Sequence, residues 1–462
     1  MKIRNTVVCA ALMGTAAAAS AADSDMAAMK QQMEALQAQI TALQSKLNTV
    51  ATSQASTPAK PGVATGDKSP LSTQIGGATV TLYGWADVSA EATDNGKERI
   101  NQVSSNLSYF GVRASRDLGS SGIKAIAQFE TLVNVSGTPT ETGGLGSRNT
   151  FVGLQGGFGK VMLGKTDTPY KRATGAMDPF SASVGDYNSI MGNTGGDLRA
   201  EFDIRQPHSI FWDSPVLGGF SANLLYSPGQ KLNNLAGANN YAYPQGEKVC
   251  AGATPGSSGS AFDAGSNSCN DGAFTNAYSA ALNYANGPFF GTVAYEKHQA
   301  VDRTGDNGGV VSPESAAKIG VSYKLGRNKI SAIVEKLYRD GGIVGTFNER
   351  ARTGYYLSDV FDLGNHYDLM AAWAHAGQTP GGPDFGTADD KANMYAVGMK
   401  YHIDKQTSLY AVGSLLKNGA GAHYALGASG HGVPIASPRD DSGATIPGRT
   451  LKAISVGMQY AF

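Results

Sequence analysis

Ala453-Ile-Ser-Val-Gly-Met-Gln-Tyr-Ala-Phe462 closes the chain and decides its fold. Ile454, Val456, Met458, Tyr460 and Phe462 alternate with Ala453, Ser455, Gly457, Gln459 and Ala461. Successive side chains of an extended backbone point to opposite faces, so one face suits lipid and the other a wet lumen. The same period of two separates Ile123, Ala125, Ala127 and Phe129 from Lys124, Gln128 and Glu130. It recurs in Ala317, Ile319, Val321 and Tyr323 around Lys318, and in Tyr395, Val397, Met399 and Tyr401 around Lys400 and His402. Short turns (117–122, 156–159, 325–328, 403–406) take turns with long polar loops. A soluble sandwich would have uniformly short turns. The asymmetry predicts an all-β chain from Thr79 to Phe462, a transmembrane antiparallel β-barrel of about 16 strands.

Upstream the pattern changes twice. Lys2 and Arg4 precede an apolar or small stretch from Thr6 to Ala19, and Ala19-Ser20-Ala21-Ala22 offers a cleavage site, so residues 1–22 read as a signal peptide. The stretch is shorter than the ~20 residues a spanning helix needs. Met26, Met33, Ile40 and Leu47 then share one seam position of a heptad, and Met29, Leu36, Leu43 and Val50 the other. Residues 23–52 are therefore expected to form a coiled-coil helix, whose flanks are Gln-rich rather than basic. Residues 53–78, with Pro58, Pro61, Pro70, Gly76 and Gly77, lose all periodicity and read as a linker.

Composition excludes several classes. No later stretch is apolar enough for a spanning helix, and a barrel hides its membrane signal because the two faces cancel in any window. The 60 glycines, 20 tyrosines and 16 phenylalanines suit tight turns and aromatic girdles. Without Lys2 and Arg4 the chain carries 35 basic and 37 acidic residues, which gives no nucleic-acid surface. Cys9 leaves with the signal. Cys250 and Cys269 share a Gly/Ser/Asn-rich stretch with too few neighbouring ligands for a metal, and a loop disulfide is expected.

Chemical motifs fare poorly. Gly159-Lys-Val-Met-Leu-Gly164-Lys165-Thr166 satisfies the phosphate-loop pattern, but its interior reads as a strand and Asp167-Thr-Pro169 stands where the helix should begin. The seven histidines form no metal motif and read as wet pore or loop residues. Ser209 follows His208, which says nothing of a catalytic triad. No enzyme, cofactor or metal is expected.

Several segments resemble the general diffusion porins of Gram-negative bacteria, in particular the neisserial and β-proteobacterial branch. They are Val80-Thr-Leu-Tyr-Gly-Trp-Ala-Asp87, Phe110-Gly-Val-Arg-Ala-Ser-Arg-Asp-Leu-Gly119, Gly122-Ile-Lys-Ala-Ile-Ala-Gln-Phe-Glu130, Phe151 to Gly164, Thr168-Pro-Tyr170, Ser209-Ile-Phe-Trp-Asp-Ser-Pro215, Gly218-Gly-Phe220 and Gln459-Tyr-Ala-Phe462. The resemblance spans residues 79–462 and omits the coiled coil. It implies a homotrimer in the outer membrane, in contact with lipid and lipopolysaccharide. Each barrel would be a water-filled channel for passive diffusion of ions and small hydrophilic solutes. The third long loop, Asp167 to about Arg205, would fold inward, and Phe462 would be the signal presented to the barrel-assembly machinery.

The resemblance places a basic wall at Arg113, Arg148 and Arg205. Lys124 joins them by lumen parity. Tyr109 stands where related porins often carry a further arginine, and Arg116 where they usually carry an acid. The third-loop stretch holds Asp167, Asp178, Asp186, Asp197, Glu201 and Asp203 against Lys171, Arg172, Arg199 and Arg205. Of these, Asp178 and Asp186 are expected as the acidic wall, giving a transverse field. Two rival readings are an outer-membrane barrel enzyme, which enzymatic assays would reveal, and an envelope tether whose coiled coil reaches peptidoglycan from the periplasm.

Overall fold

The structure, a computed structural model, describes residues 71–136, 145–193, 202–228, 274–301, 312–339, 351–379, 389–427, 431–432, 435–440 and 445–462. The expected signal peptide, the coiled coil, most of the linker, Cys250 and Cys269 lie outside these. Eighteen strand segments form one antiparallel sheet that closes on itself. They are β1 Ser72–Ile75, β2 Ala78–Asp94, β3 Arg99–Ser105, β4 Tyr109–Asp117, β5 Lys124–Leu132, β6 Thr150–Gly156, β7 Gly159–Asp167, β8 Arg205–Asp213 and β9 Phe220–Ser227. The remainder are β10 Asn276–Asn286, β11 Phe289–Val301, β12 Ser312–Leu325, β13 Asn328–Arg339, β14 Thr353–Gly364, β15 Tyr367–Ala376, β16 Ala392–His402, β17 Thr407–Asn418 and β18 Thr450–Ala461.

Sixteen staves result, because two pairs of segments each make one stave. β3 and β4 pair with the two halves of β2 along one edge and are separated by Leu107 at φ 49°. Along the other edge β18 pairs with residues 85–94, and β1 continues the line against residues 78–81. At that seam Gly84 N–H donates to the Phe462 carbonyl (2.9 Å) and Phe462 N–H to the Gly84 carbonyl (3.1 Å). β1 lies in the stretch read as linker. Its four residues are too few to show a period, and the turn at Gly76-Gly77, with φ 57° and 77°, lets it fold back on β2.

The faces divide as the alternation requires. Ile319, Val321, Val397, Ile454 and Val456 point outward and are exposed, while Asp87, Glu91, Glu130, Glu296, Lys318 and Glu335 point inward and are buried. Short connections at 76–77, 118–123, 157–158, 287–288, 326–327 and 403–406 share one rim. The long loops share the other. Residues 159–167 are strand throughout and paired on both sides, so the phosphate-loop pattern forms no phosphate cradle.

Candidate functional site

The third long loop (168–204) leaves β7 beyond a register shift at Gly164–Thr166 and enters the lumen. Thr168 begins this turn inward: its hydroxyl accepts from Lys171 N–H, and Pro169 opens helix α1, Pro169–Thr174, with a preset φ. Helix α1 lies on the inner wall. Tyr170 N–H donates to Ser279 Oγ (3.0 Å), its hydroxyl donates to Glu335 (2.7 Å), and Lys318 Nζ sits 3.8 Å from the centre of its ring. Beyond α1, Ser358 Oγ and Lys329 Nζ donate to the carbonyls of Met177 and Ala176. Phe180, Val184, Tyr187, Ile190 and Met191 then pack on Ile333, Tyr356, Met370, Met394, Ala396 and Val412 of the wall. That side of the lumen is apolar because the loop covers it.

At the loop's tip a buried pair holds the backbone by both polarities. Glu335 accepts from Gly192 N–H (2.9 Å), while Arg352 Nε donates to the Asn193 carbonyl (2.9 Å) and its Nη2 reaches the carbonyls of Ile190 and Asn193. Both side chains are fully buried, 3.7 Å apart. On the returning limb Lys318 pairs with Asp203 (2.8 Å), and Phe202 stacks on His298.

Asp178 and Asp186 do not face the arginines. Asp178 accepts from Phe180 N–H, Tyr187 N–H and the Tyr356 hydroxyl, and Asp186 from Ala182 N–H and Asn188 N–H. Burial pushes the Asp178 carboxyl above the usual carboxylate range. Asp186 is raised well above the usual carboxylate range, by burial and then by the charge of Asp178. Both shape the loop, and the expected transverse field cannot rest on them.

Three of the four expected bases converge on the wall opposite. Arg113 Nε donates to Gln128 Oε1 (2.9 Å) and its guanidinium lies 4.0 Å from the centre of the Tyr83 ring. Arg148 Nε donates to Glu130 (2.6 Å), with the guanidinium 4.4 Å over Tyr109. Tyr109 thus supports an arginine of this wall through its ring face. Arg205 bridges Asp167 (3.0 Å) and Asn149 Oδ1 (2.9 Å), and Lys171 adds a further contact to Asp167 (3.4 Å). Lys124 departs from this group. It begins β5 at the short-turn rim, paired with Asp117 (3.3 Å) and half exposed, because parity fixes a side chain's face but not its depth.

Two histidines also depart from the wet reading: His298 is stacked between Phe202 and Phe274, and His431 is buried against Glu91. No group of three or more His, Cys, Asp or Glu able to hold a metal occurs among the described residues. Arg116 faces outward, at an apolar groove floored by Ala78, Ala114, Ala125 and Gly153.

Comparison with known proteins bears on this closed, loop-narrowed barrel. A family model described as Gram-negative porin matches residues 8–421. The chain belongs to the Gram-negative porin family. This porin is 26% identical over 364 residues to the major outer membrane protein P.IB of Neisseria meningitidis, covering 76% of this chain and 92% of that one. The corresponding protein of Neisseria sicca is 35% identical over 165 residues, 34% of this chain and 44% of its relative, so that match spans under half the relative's length. An outer membrane porin protein of Bordetella pertussis is 23% identical over 68% of this chain and 77% of its own. Among solved structures, the anion-selective porin of Comamonas acidovorans shares the fold, with TM-score 0.61 at 19% identity over 83% of this chain and all of that one. The porin is an outer-membrane channel for passive diffusion, with its third loop folded inward.

Proposed function

We propose that this porin passes small anions in preference to cations along the wall formed by Arg113, Arg148 and Arg205, with Lys171 on the loop beside them. The observation that carries this is the excess of basic over acidic side chains gathered at that wall among the described residues. Among the described residues, the third-loop acids Asp178, Asp186 and Asp203 are spent on the loop's own backbone and Asn188, on Tyr356 and on Lys318, whereas Arg113, Arg148, Arg205 and Lys171 share Glu130 and Asp167 at the opposite wall. A low-dielectric wall focuses such a charge difference into the aqueous path. Replacing Arg148 with Ala should move the zero-current potential in a salt gradient toward the cation equilibrium potential. The barrel should still assemble, since no strand pairing depends on that side chain, with some loss of stability because the buried Glu130 loses its partner. An unchanged potential in dilute salt, where the Debye length reaches about 30 Å, would remove Arg148 from the pathway.

The working unit is proposed as a homotrimer. Exposed aromatics such as Tyr226, Tyr278, Tyr295, Tyr338, Tyr355 and Tyr395 ring the outer face on β9–β16. The face over β2 and β4–β6 instead offers the small-residue groove described above, which suits a neighbouring subunit better than lipid headgroups. Residues 1–22 act as the signal peptide and residues 23–52 as a parallel coiled coil in the periplasm. At ~1.5 Å per residue the coil extends far enough to meet peptidoglycan. Outside, the barrel meets lipid and lipopolysaccharide. Native mass measurement of the detergent-extracted porin should give three chains with or without residues 23–70, a deletion that spares β1; a monomer or dimer at full length contradicts this. The intact mass of the denatured chain should also lack a hydrogen pair until reduction, from a Cys250–Cys269 bond.

A further inference from the structure

A second long loop enters the lumen. It joins β17 to β18, and its described residues are 419–427, 431–432, 435–440 and 445–449. Leu426 and Ile435 exchange backbone hydrogen bonds of 3.0 and 2.9 Å, and with Ala422 and Tyr424 they join the apolar cluster that holds Ile190 and Met191 of the third loop. Gly427 N–H donates to Ser189 Oγ (3.0 Å), so the two loops touch directly. The Tyr424 ring also lies 5.7 Å from the Arg352 guanidinium.

Toward β2 the loop's grip on the barrel wall is polar. His431 Nε2 stands 2.6 Å from Glu91 Oε1, with both side chains fully buried. Glu91 faces inward from β2 and also accepts from Ser89 Oγ (2.6 Å), Gln102 Nε2 (3.0 Å) and Ser455 Oγ (3.3 Å). Gly432 N–H reaches Asn106 Oδ1 (3.4 Å) one stave away. An inward carboxylate at this position would face the aqueous path if the loop were elsewhere, and it would draw cations there. Under the loop it is withdrawn from water and matched by an imidazole.

We propose that the β17–β18 loop is a second constricting element and that His431, by pinning it over Glu91, is a specificity-determining residue of the channel. The loop narrows the lumen from the side of β2 and β18. It also removes a cation-attracting charge from the wall, leaving the path to Arg113, Arg148 and Arg205. This inference rests on the reading of that basic wall as the ion path.

Planar-bilayer recordings of the full-length porin in a potassium chloride gradient test it. His431→Ala should raise single-channel conductance and shift the zero-current potential toward the potassium equilibrium potential. The double variant His431→Ala/Glu91→Gln should keep the higher conductance and lose the potassium shift, because the released carboxylate is gone. Wild-type conductance and potential in His431→Ala overturn the proposal, as does a potassium shift that survives in the double variant. If His431→Ala does not assemble, His431→Asn, whose shorter side chain cannot span to Glu91, is recorded in its place with the same expectations. Arg148→Ala, measured alongside, separates the two readings. A silent Arg148→Ala beside a responsive His431→Ala sinks the basic wall and leaves the latch, and the reverse pattern sinks the latch alone.

Discussion

Arg352→Ala should open this channel more than any other single substitution, giving larger and noisier single-channel currents from a barrel that still assembles. The side chain is fully buried and supplies the donors for the carbonyls of Ile190 and Asn193 at the tip of the third loop. Its removal takes a charged donor from each of those carbonyls and leaves the Glu335 carboxylate without the cation beside it. Breaking a buried pair from one side costs about 3–5 kcal/mol. That cost falls on the loop, because the wall strands keep all their ladder bonds. The loop can shed it by leaving the wall and letting water reach Glu335. Arg352→Lys keeps the charge but not the fork that reaches two carbonyls, so it should give an intermediate conductance. Currents of wild-type size and noise in Arg352→Ala would show that the apolar cluster alone fixes the loop.

Deleting Phe462 should have the largest effect on assembly, with little folded porin reaching the outer membrane. The terminal residue does more than end the last strand. Its N–H and carbonyl make two bonds to Gly84 at the seam where β18 meets β2 and the sheet closes. Its ring covers Gly84 so closely that a Cβ there would lie 2.2 Å from Cζ. Phe462→Ala retains the backbone bonds and loses the ring, which contributes part of the ~1.5–3 kcal/mol of a fully buried large apolar side chain. Gly84→Val should mimic that loss from the other partner by displacing the ring. Quantifying the heat-resistant folded band in outer-membrane fractions reads all three. Normal yield on deletion would mean that neither the seam nor the proposed assembly signal depends on this residue.

The barrel was legible because alternation is local: each strand states its own two faces, and Ile454 to Phe462 shows this within ten residues. The inward third loop was legible through resemblance alone. Its contacts were not, because Glu335, Ser358 and Arg352 lie more than 140 residues along the chain from the atoms they hold. One local signal was present. Tyr356, Met370, Ala372, Ala374, Met394 and Ala396 are apolar on inward parity, which marks where something docks on the wall. Asp178 and Asp186 looked like lumen acids, yet each accepts from the backbone N–H two residues on, the local turn that aspartate commonly makes. Lys124 had the right face at the wrong depth. His431 gave no sequence signal at all, since its partner Glu91 lies 340 residues away on β2.

Single-channel recording of the purified full-length porin in planar bilayers, across a series of potassium chloride concentrations and in a gradient, tests the central claim most directly. A water-filled path along a basic wall should give a conductance that rises with bulk conductivity, and a zero-current potential on the chloride side that Arg148→Ala moves toward potassium. An absence of conductance would contradict the channel itself, and a potential on the potassium side would contradict the basic wall.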